Sequence, residues 1–521
     1  MQSSLIHRTK TIPEMLATSL NKGGSHTLVQ IVDGDSLSVD QIRDDTSRYC
    51  QALEAVGVHQ GSRVGLISPN RAEVLHVSHS VQLLGAIYVP MHPLNSLEDH
   101  LFVIRDSGVG VLIFDAESYG SRAREIADAI PELKLLSFGN TPFSQNLCDL
   151  IENFAARPLN IPNISPDDIV RLGYTGGTTG KPKAIASTQR AALATLQIML
   201  SDWEWPSTPR ILSCTPLSHA GAALILPTLL KGGSIMALAR FDAGRVMELI
   251  QEYRINCIML VPTMIYSILD HPDFHKYDLS SLETVFYGAS AISPTRLREA
   301  IQRIGPVFSQ FYGQAEAPMV VTTLRKNEHD INDLNRLASC GRPSPWLDVQ
   351  LFDDHDNPVA DGEPGEICVR GPIVIDGYRD NPEQTAEVFR NDWLHTGDIA
   401  VKDPDGFLRI IDRTKDMIVT GGFNVYPRLI EDIISEHPSI AQVAVFGTPH
   451  EKWGEAVTAC IVLKPNMSVK PEDIQALVTE HKGAFQAPKI IHLVDSIPQT
   501  AVGKPDKKIL RSQYTKPYSG D

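Results

Sequence analysis

Ten residues of this chain, Tyr174–Lys183, carry the chemical groups that bind phosphate. Three glycines, three threonines and two lysines fall within them. Glycine lets a backbone turn tightly around an anion, while free amides, hydroxyls and ammonium groups supply donors and positive charge. The run is not a Walker A loop, because Thr175 stands where that pattern has glycine and Pro182 where it has serine or threonine. The composition predicts a phosphate-binding loop, and the alternative is a flexible surface turn.

The same run closely resembles the phosphate loop of the adenylate-forming superfamily, which includes acyl-CoA synthetases, adenylation domains of peptide synthetases, and luciferases. That family typically reads Y-T-S-G-T-T-G-x-P-K-G, and here Gly176 replaces the serine and Ala184 the last glycine. Further segments match family motifs in the family's order, at Tyr312–Glu316, Tyr378–Asp398, Asp412–Asp416 and Pro498–Lys504. Several motifs in order are far more specific than any one of them.

The resemblance implies which residues bind the nucleotide. They are Thr175, Gly176, Gly177, Thr178, Thr179, Gly180, Lys181, Tyr312, Gly313, Gln314, Asp398, Arg413 and Lys504. Tyr312 is expected to stack on adenine, Asp398 to accept hydrogen bonds from both ribose hydroxyls, and Glu316 to bind Mg²⁺. An aromatic face suits a purine and a hard carboxylate suits magnesium. The alternative for Tyr312–Glu316 is an ordinary turn with an exposed glutamate.

The resemblance also implies the residues of catalysis and of the second reaction step. The catalytic candidates are Lys504, Glu316, Thr175 and His219, with Lys504 as the adenylation lysine. The alternative for Lys504 is a basic surface near the C-terminus. Lys415 is the expected hinge between two domains, and the loop Gly421, Gly422 and Phe423 is expected to line the channel for coenzyme A.

A pocket for the acid is expected after the phosphate loop, where Pro216–Gly221 resembles the family's pocket entrance. The residues assigned to it are His219, Gly221, Ala222, Val261, Thr263, Tyr287, Gly288 and Ala289. Small and apolar residue types dominate, which suits a fatty, alicyclic or aromatic acid. The neighbours of His219 are not acidic, and a buried ammonium group needs an acidic partner, so a free amino acid is a poor candidate.

Short apolar strands alternate with helical patterns in the elements that must position these residues. Val64–Ile67, Val111–Phe114 and Thr284–Tyr287 are typical of strands, and Asp242 is expected to cap a helix that ends at Tyr253. The alternation predicts an α/β fold with largely parallel sheets, in which ligands gather at the carboxyl ends of the strands.

Two domains are expected, because 521 residues are too many for one ordinary core. Residues 1–411 should form a large AMP-binding, acyl-adenylating domain of several subdomains, built from layered sheets and helices. Residues 412–521 should form a small, mobile α+β domain.

The composition argues against several other classes of protein. A formal charge of −15, from 47 basic and 62 acidic residues, is unfavourable for a general nucleic-acid binder. The seven cysteines include no C-x-x-C pair, so neither a zinc site nor a disulfide framework is indicated. No apolar run reaches the roughly 18 residues of a transmembrane helix. The expectation is a cytoplasmic protein, for which a homodimer is one prediction.

The resemblance implies an ATP-dependent carboxylic acid–CoA ligase that uses Mg²⁺. It would activate a fatty, alicyclic or aromatic acid as acyl-AMP and transfer the acyl group to CoA as co-substrate. Two alternatives stay open at this point. One is a stand-alone adenylating enzyme whose acceptor is a carrier protein or an amine, and the other is a nucleotide sensor without catalysis.

Overall fold

The first third of the chain alternates strands with helices whose starts have local causes. The computed structural model describes residues 9–32, 34–93, 95–175, 182–217, 220–413, 416–420, 423–450, 453–499 and 505–515. Thr11 and Ser38 cap the first two helices, each with its side chain paired to the third residue of the helix. The strands up to Thr188 are β1 Thr27–Ile31, β2 Ser36–Ser38, β3 Arg63–Ile67, β4 Ile87–Pro90, β5 Val111–Asp115, β6 Lys134–Phe138, β7 Gln145–Asn146, β8 Ile169–Thr175 and β9 Lys183–Thr188. The helices as far as Asp202 are α1 Ile12–Asn21, α2 Val39–Ala55, α3 Ala72–Leu83, α4 Leu97–Ser107, α5 Ala116–Ala129, α6 Leu147–Ile151 and α7 Gln189–Asp202.

The middle of the chain continues this alternation and then turns antiparallel. Asp242 caps the helix that follows it by accepting a hydrogen bond from the backbone nitrogen of Arg245 at 2.8 Å, as the sequence predicts. The strands here are β10 Arg210–Ser213, β11 Ser234–Ala237, β12 Cys257–Leu260, β13 Thr284–Tyr287, β14 Phe308–Gln314, β15 Ala317–Leu324, β16 Arg342–Pro343, β17 Asp348–Phe352, β18 Pro364–Arg370, β19 Phe389–Arg390, β20 Trp393–Lys402 and β21 Leu408–Arg413. The helices are α8 Ile225–Leu230, α9 Ala243–Tyr253, α10 Pro262–Leu269, α11 Pro294–Ile304, α12 Leu334–Leu337 and α13 Pro382–Val388.

The last part of the chain is a small α+β unit. Its strands are β22 Ile418–Thr420, β23 Phe423–Val425, β24 Ile440–His450, β25 Gly454–Leu463 and β26 Ile490–Leu493, and its helices are α14 Pro427–Ser435, α15 Pro471–Lys482 and α16 Lys507–Tyr514. The long hairpin of β24 and β25 forms its centre, and β26 pairs with β25 in parallel.

Four sheets organise these strands. One has the order β7-β6-β5-β3-β4-β8-β9, and a second has the order β16-β15-β14-β13-β12-β10-β11-β1-β2. Pairing is parallel through most of both, which confirms the predicted α/β class. The sheet of β17 to β21 is instead antiparallel, and the sequence analysis did not predict it. Tight turns can join its neighbouring strands without a crossover helix, so the alternation that signals a parallel sheet is lost there.

The topology brings the predicted site segments to one edge of the second sheet. The segments that contain Gly221, Val261, Gly288 and Gln314 follow or end the parallel strands β10, β12, β13 and β14. In open α/β sheets, ligands bind at this carboxyl edge.

The buried apolar side chains divide into separate clusters on the two sides of Arg413. The clusters of the large sheets hold residues up to Ile410, and those of the small unit begin at Ile418. Among the described residues, no apolar cluster crosses this boundary.

Polar groups contribute contacts between the two sides. Arg428 donates a hydrogen bond to the carbonyl oxygen of Ile292 at 2.7 Å, and the hydroxyls of Ser293 and Ser435 lie 3.1 Å apart. The described part of the chain includes no helix that is both long and apolar enough to cross a lipid bilayer. The predicted homodimer and cytoplasmic location stay predictions.

Candidate active site

Three predicted nucleotide ligands, which come from three different strands, meet in the structure. Asp398 on β20 is paired directly with Arg413 on β21, and its side chain is almost wholly buried. One carboxylate oxygen accepts from the hydroxyl of Tyr312 at 2.6 Å, and the other accepts from Nε of Arg413 at 2.9 Å. Each oxygen keeps a second lone pair that can accept from a ligand hydroxyl.

The electrostatics of this cluster favour the charged form of Arg413 and the neutral form of Tyr312. The Asp398 carboxylate raises the pKa of Arg413, which is therefore a permanent cation beside it. Burial of the Tyr312 hydroxyl, and then the negative charge of Asp398, raise the pKa of Tyr312. The tyrosine hydroxyl donates a hydrogen bond to the carboxylate, and its ring remains available for stacking on a base.

A close backbone approach at Gly313 fixes the position of Tyr312. Tyr312 and Gln314 belong to strand β14, which turns at Ala315 and Glu316 into β15. Most of the motif Tyr312–Glu316 is therefore the end of a strand. A Cβ atom on Gly313 would lie 2.2 Å from the backbone nitrogen of Met319. Only glycine fits at this position of the hairpin.

Glu316, the predicted magnesium ligand, has a tyrosine partner that the sequence analysis did not assign. The hydroxyl of Tyr378 donates to Oε1 of Glu316 at 2.7 Å, and Nζ of Lys183 lies 4.7 Å from the centre of the Tyr378 ring. Burial and then the charge of Glu316 raise the pKa of Tyr378, so it stays a donor. Tyr378 appears in the sequence only as part of the motif Tyr378–Asp398, and its spacing gave no sign of this contact.

The contacts of Tyr378 connect Glu316 to the strand that leaves the phosphate loop. Tyr378 forms a bridge with Ile185 of β9, and the backbone nitrogen of Ile375 donates to the carbonyl oxygen of Glu316 at 3.0 Å. Lys183 is paired with Thr175 at the end of the β8–β9 hairpin where the predicted phosphate loop joins the two strands. Tyr378 therefore links this hairpin to Glu316, whose carboxylate is a hard oxygen donor that fits Mg²⁺.

Two residues predicted for the acid pocket are enclosed by neighbouring elements, and their pocket role stays a prediction. Tyr287 is fully buried within an apolar cluster, and its hydroxyl lies 2.9 Å from Nε2 of His329. A Cβ atom on Gly288 would lie 2.4 Å from the carbonyl oxygen of Phe311, so this glycine faces a neighbouring strand. Side chains alternate between the two faces of a strand, and the sequence alone does not say which face meets the ligand.

The other described pocket residues follow the carboxyl ends of the strands. Ala222 packs half-buried against the main core, and Gly221 approaches the backbone of Thr215 so closely that a Cβ atom would lie 2.8 Å from its carbonyl oxygen. Val261 caps α10 and is half-buried like Thr263. Ala289 is exposed and has a φ of 64°.

Comparison with known proteins identifies the family. A model of the AMP-binding enzyme family matches residues 17–379, and a model of the AMP-binding enzyme C-terminal domain matches residues 429–504. The chain belongs to the AMP-binding enzyme family. It is 49% identical over 496 residues to the medium/long-chain-fatty-acid–CoA ligase FadD8 of Mycobacterium tuberculosis, and the match covers 92% of this chain and 86% of that one.

Solved structures of similar enzymes share the fold along nearly the whole chain. The amide bond synthetase McbA from Marinactinospora thermotolerans is 31% identical, with a TM-score of 0.87 over 96% of this chain and 99% of that chain. The anthranilate CoA ligase AuaEII in complex with anthranoyl-AMP is 25% identical, with a TM-score of 0.89 over 97% of each chain.

Several predicted residues of this AMP-binding enzyme lie outside the described residues. They are Gly176, Gly177, Thr178, Thr179, Gly180, Lys181, His219, Lys415, Gly421, Gly422 and Lys504, together with the side chains of Thr175 and Phe423. The backbone of Phe423 is described and is paired with Thr420 across the β22–β23 hairpin.

A buried carboxyl group lies at the predicted domain boundary of this AMP-binding enzyme. Oδ1 of Asp412 accepts from the backbone nitrogen of Arg413 at 2.7 Å, while Oδ2 has no hydrogen-bond partner among the residues that the structure describes. Burial raises the pKa of Asp412 from 3.8 to about 7, although the positive charge of Lys507 opposes the change. The carboxyl group therefore titrates near neutral pH.

Replacing Asp412 with asparagine is expected to stabilise the AMP-binding enzyme at alkaline pH. The folded protein binds this proton more tightly than the unfolded chain, so the wild type loses stability as pH rises from 3.8 through about 7. Asparagine resembles the neutral acid and does not ionise, so the variant does not lose stability in this way. Melting temperatures measured between about pH 5 and about pH 8 should diverge in favour of Asp412→Asn as pH rises. Asp167→Asn, at a side chain that is 83% exposed, is the control. Parallel curves for Asp412→Asn and the wild type would contradict the prediction.

Proposed function

We propose that this AMP-binding enzyme is an ATP-dependent carboxylic acid–CoA ligase. The observation that carries the proposal is the convergence of Tyr312, Asp398 and Arg413, with Glu316 four residues beyond Tyr312 on the same hairpin. An aromatic face beside a buried carboxylate suits adenosine, and a nearby hard carboxylate suits a phosphate-bound metal. Its similarity to a fatty-acid–CoA ligase and an anthranilate–CoA ligase supports the proposal.

In the first half-reaction, a carboxylate oxygen of the acid attacks the α-phosphorus of ATP. A new P–O bond forms, the bond to pyrophosphate breaks, and acyl-AMP results. The acid and the triphosphate repel each other, so the site must align them and offset their charge, and no protein nucleophile is required. Asp398 orients the ribose, and Arg413 and Lys504 supply positive charge. Mg²⁺, when bound at Glu316, supplies further positive charge to the phosphates.

In the second half-reaction, the thiol of CoA attacks the acyl carbon of acyl-AMP and AMP leaves. The two steps need different protein groups at one place, which requires a conformational change. We propose that residues 412–521 turn about Lys415 and bring Gly421, Gly422 and Phe423 to the site. The separate apolar clusters on the two sides of Arg413 support a division close to residues 411 and 412, because the small unit keeps its own apolar core.

Replacing Glu316 with glutamine is expected to raise the Mg²⁺ concentration that adenylation requires, because the charged metal ligand is lost. Tyr378→Phe should also raise the Mg²⁺ concentration that adenylation requires, by about tenfold, since loss of a residue that orients a metal ligand typically costs about 10–100-fold in affinity. Titration of pyrophosphate release with Mg²⁺ measures both variants. Glu363→Gln, at an exposed glutamate, is the control. An unchanged titration curve for Glu316→Gln would remove Glu316 from the metal site.

The proposed function is tested by pyrophosphate release with a panel of fatty, alicyclic and aromatic acids. Release that depends on an acid supports adenylation, and its absence with every acid favours a nucleotide sensor. The second question is the acceptor, because the likeness to an amide bond synthetase keeps amines open. Supplying one preformed acyl-AMP with CoA, a carrier protein or an amine decides it. Faster conversion with an amine than with CoA would replace the ligase assignment by amide formation.

A further inference from the structure

The strand that carries Asp398 is irregular at that residue. In the antiparallel pairing of β18 and β20, Glu366 is opposite Ile399 and Cys368 is opposite His395. One residue of β18 therefore faces the three residues 396–398 of β20. Such a bulge redirects the side chains of the bulged strand.

Glu366 fills this irregularity with its carboxylate. Oε1 accepts from the backbone nitrogen of Gly397 at 2.7 Å, and Oε2 lies 2.7 Å from Nδ1 of His395. Gly397 has a φ of 73°, in the left-handed region that favours glycine. The side chain of Glu366 is 19% exposed, so little water is present to replace it.

Thr396 completes the bulge from the other side. Its hydroxyl donates to the carbonyl oxygen of Ile367 at 2.7 Å and accepts from the backbone nitrogen of Asp398 at 3.1 Å. Side chains therefore bind the backbone groups that the regular sheet would have paired. Loss of Glu366 would leave the nitrogen of Gly397, directly before Asp398, without this acceptor.

We propose that Glu366 is a positioning residue for ATP, because it holds the bulge that directs the Asp398 carboxylate toward the ribose hydroxyls. This inference rests on the proposed nucleotide role of Asp398. Glu366 does not touch the nucleotide in this scheme and acts through Gly397.

A metal site is the competing assignment for this cluster, because the ligand atoms of Glu366, Cys368 and His395 all lie within 4.8 Å of one another. Arg390 already supplies a cation there. Its Nη2 lies 2.8 Å from Nδ1 of His395 and 3.6 Å from Oε2 of Glu366. A metal ion bound by the same atoms would lie beside the positive charge of Arg390, which would repel it. Hydrogen bonding therefore explains the cluster better.

The test compares ATP with 2′-deoxy-ATP and 3′-deoxy-ATP in pyrophosphate release by the full-length enzyme. A carboxylate aimed at the ribose should make the wild type favour ATP in kcat/KM. Glu366→Ala should raise KM for ATP by about tenfold, the usual effect of leaving one buried donor without its partner. It should also bring the kcat/KM for ATP, divided by the kcat/KM for each deoxy-ATP, close to one. Glu366→Asp, whose shorter side chain cannot reach Gly397, should do the same, and it keeps the test open if the alanine variant fails to fold.

Glu366→Gln should keep the wild-type ratio, because its amide oxygen can still accept from Gly397. Cys368→Ser is the matched control, since it touches the same imidazole but not Gly397, and it should also keep the ratio. A general loss of stability would lower activity with both nucleotides and leave the ratio unchanged.

Preserved discrimination in both Glu366→Ala and Glu366→Asp would overturn the positioning role alone. A wild type that releases pyrophosphate without discriminating ATP from either deoxy-ATP would overturn the ribose role of Asp398 and the positioning role with it. Adenylation would still stand in that case.

Discussion

Replacing Lys504 with alanine is expected to slow acyl-AMP formation by about 10²–10³, the typical effect of removing one preorganised donor from a charged transition state. Conversion of supplied acyl-AMP to acyl-CoA should persist, because in the proposed mechanism the small domain turns away before that step. Lys504 lies outside the described residues, but its surroundings are anchored. Gln499 and Pro505 form an antiparallel bridge, and the backbone nitrogen of Asp506 donates to the carbonyl oxygen of Pro498 at 2.7 Å.

Two single-turnover rates measure this effect, one with ATP and acid, the other with acyl-AMP and CoA. Lys508→Ala removes the same charge from an exposed neighbour and should leave both rates near those of the wild type. Equal loss of both rates in Lys504→Ala would contradict a role confined to adenylation. Lys415→Pro should show the opposite pattern, because proline restricts φ at the proposed hinge. Circular dichroism must first show that the proline variant is folded.

Replacing Asp398 with asparagine should raise KM for ATP by about 10–100-fold, since hydrogen bonds to a charged group contribute about 1.5–3 kcal/mol. The amide has the size of the acid, and its oxygen can still accept from Arg413 while its NH₂ group faces Tyr312. The fold should therefore survive while the negative acceptor for the ribose is lost. Steady-state kinetics at saturating acid give KM and kcat separately.

Tyr312→Phe is the matched variant for this prediction. It keeps the aromatic face and removes only the hydrogen bond to Asp398, so its KM for ATP should rise much less. An unchanged KM in Asp398→Asn would mean that another residue holds the ribose. A larger effect from Tyr312→Phe than from Asp398→Asn would mean that the tyrosine hydroxyl is the principal nucleotide contact.

Local sequence signals predicted the regular elements well. Asp242 caps its helix, and Thr284–Tyr287 is a strand with the predicted bounds. Capping residues and short apolar runs act within a few positions of themselves, so their effect is visible without the rest of the chain. The motif at Tyr312 is mostly a strand end rather than a turn, because pairing with β15 extends β14.

Contacts between distant residues were harder to predict. Tyr378 meets Glu316 across 62 positions, and the partner strand of β13 decides that Gly288 faces Phe311. Neither contact follows from the spacing of residues along the chain, since each depends on how sheets pair and stack. Family resemblance instead assigned Tyr312, Asp398 and Arg413 to one nucleotide site, and the structure shows that the three side chains are in contact.

The polar boundary between the two units has a consequence for the enzyme in a crowded solution. Water can replace the hydrogen bond of Arg428 to Ile292 and the contact between Ser293 and Ser435 when the units part. An interface of buried apolar side chains would instead expose an apolar surface each time it opened, and such surfaces promote aggregation. The proposed rotation of the small domain is therefore compatible with repeated opening without a tendency to self-association.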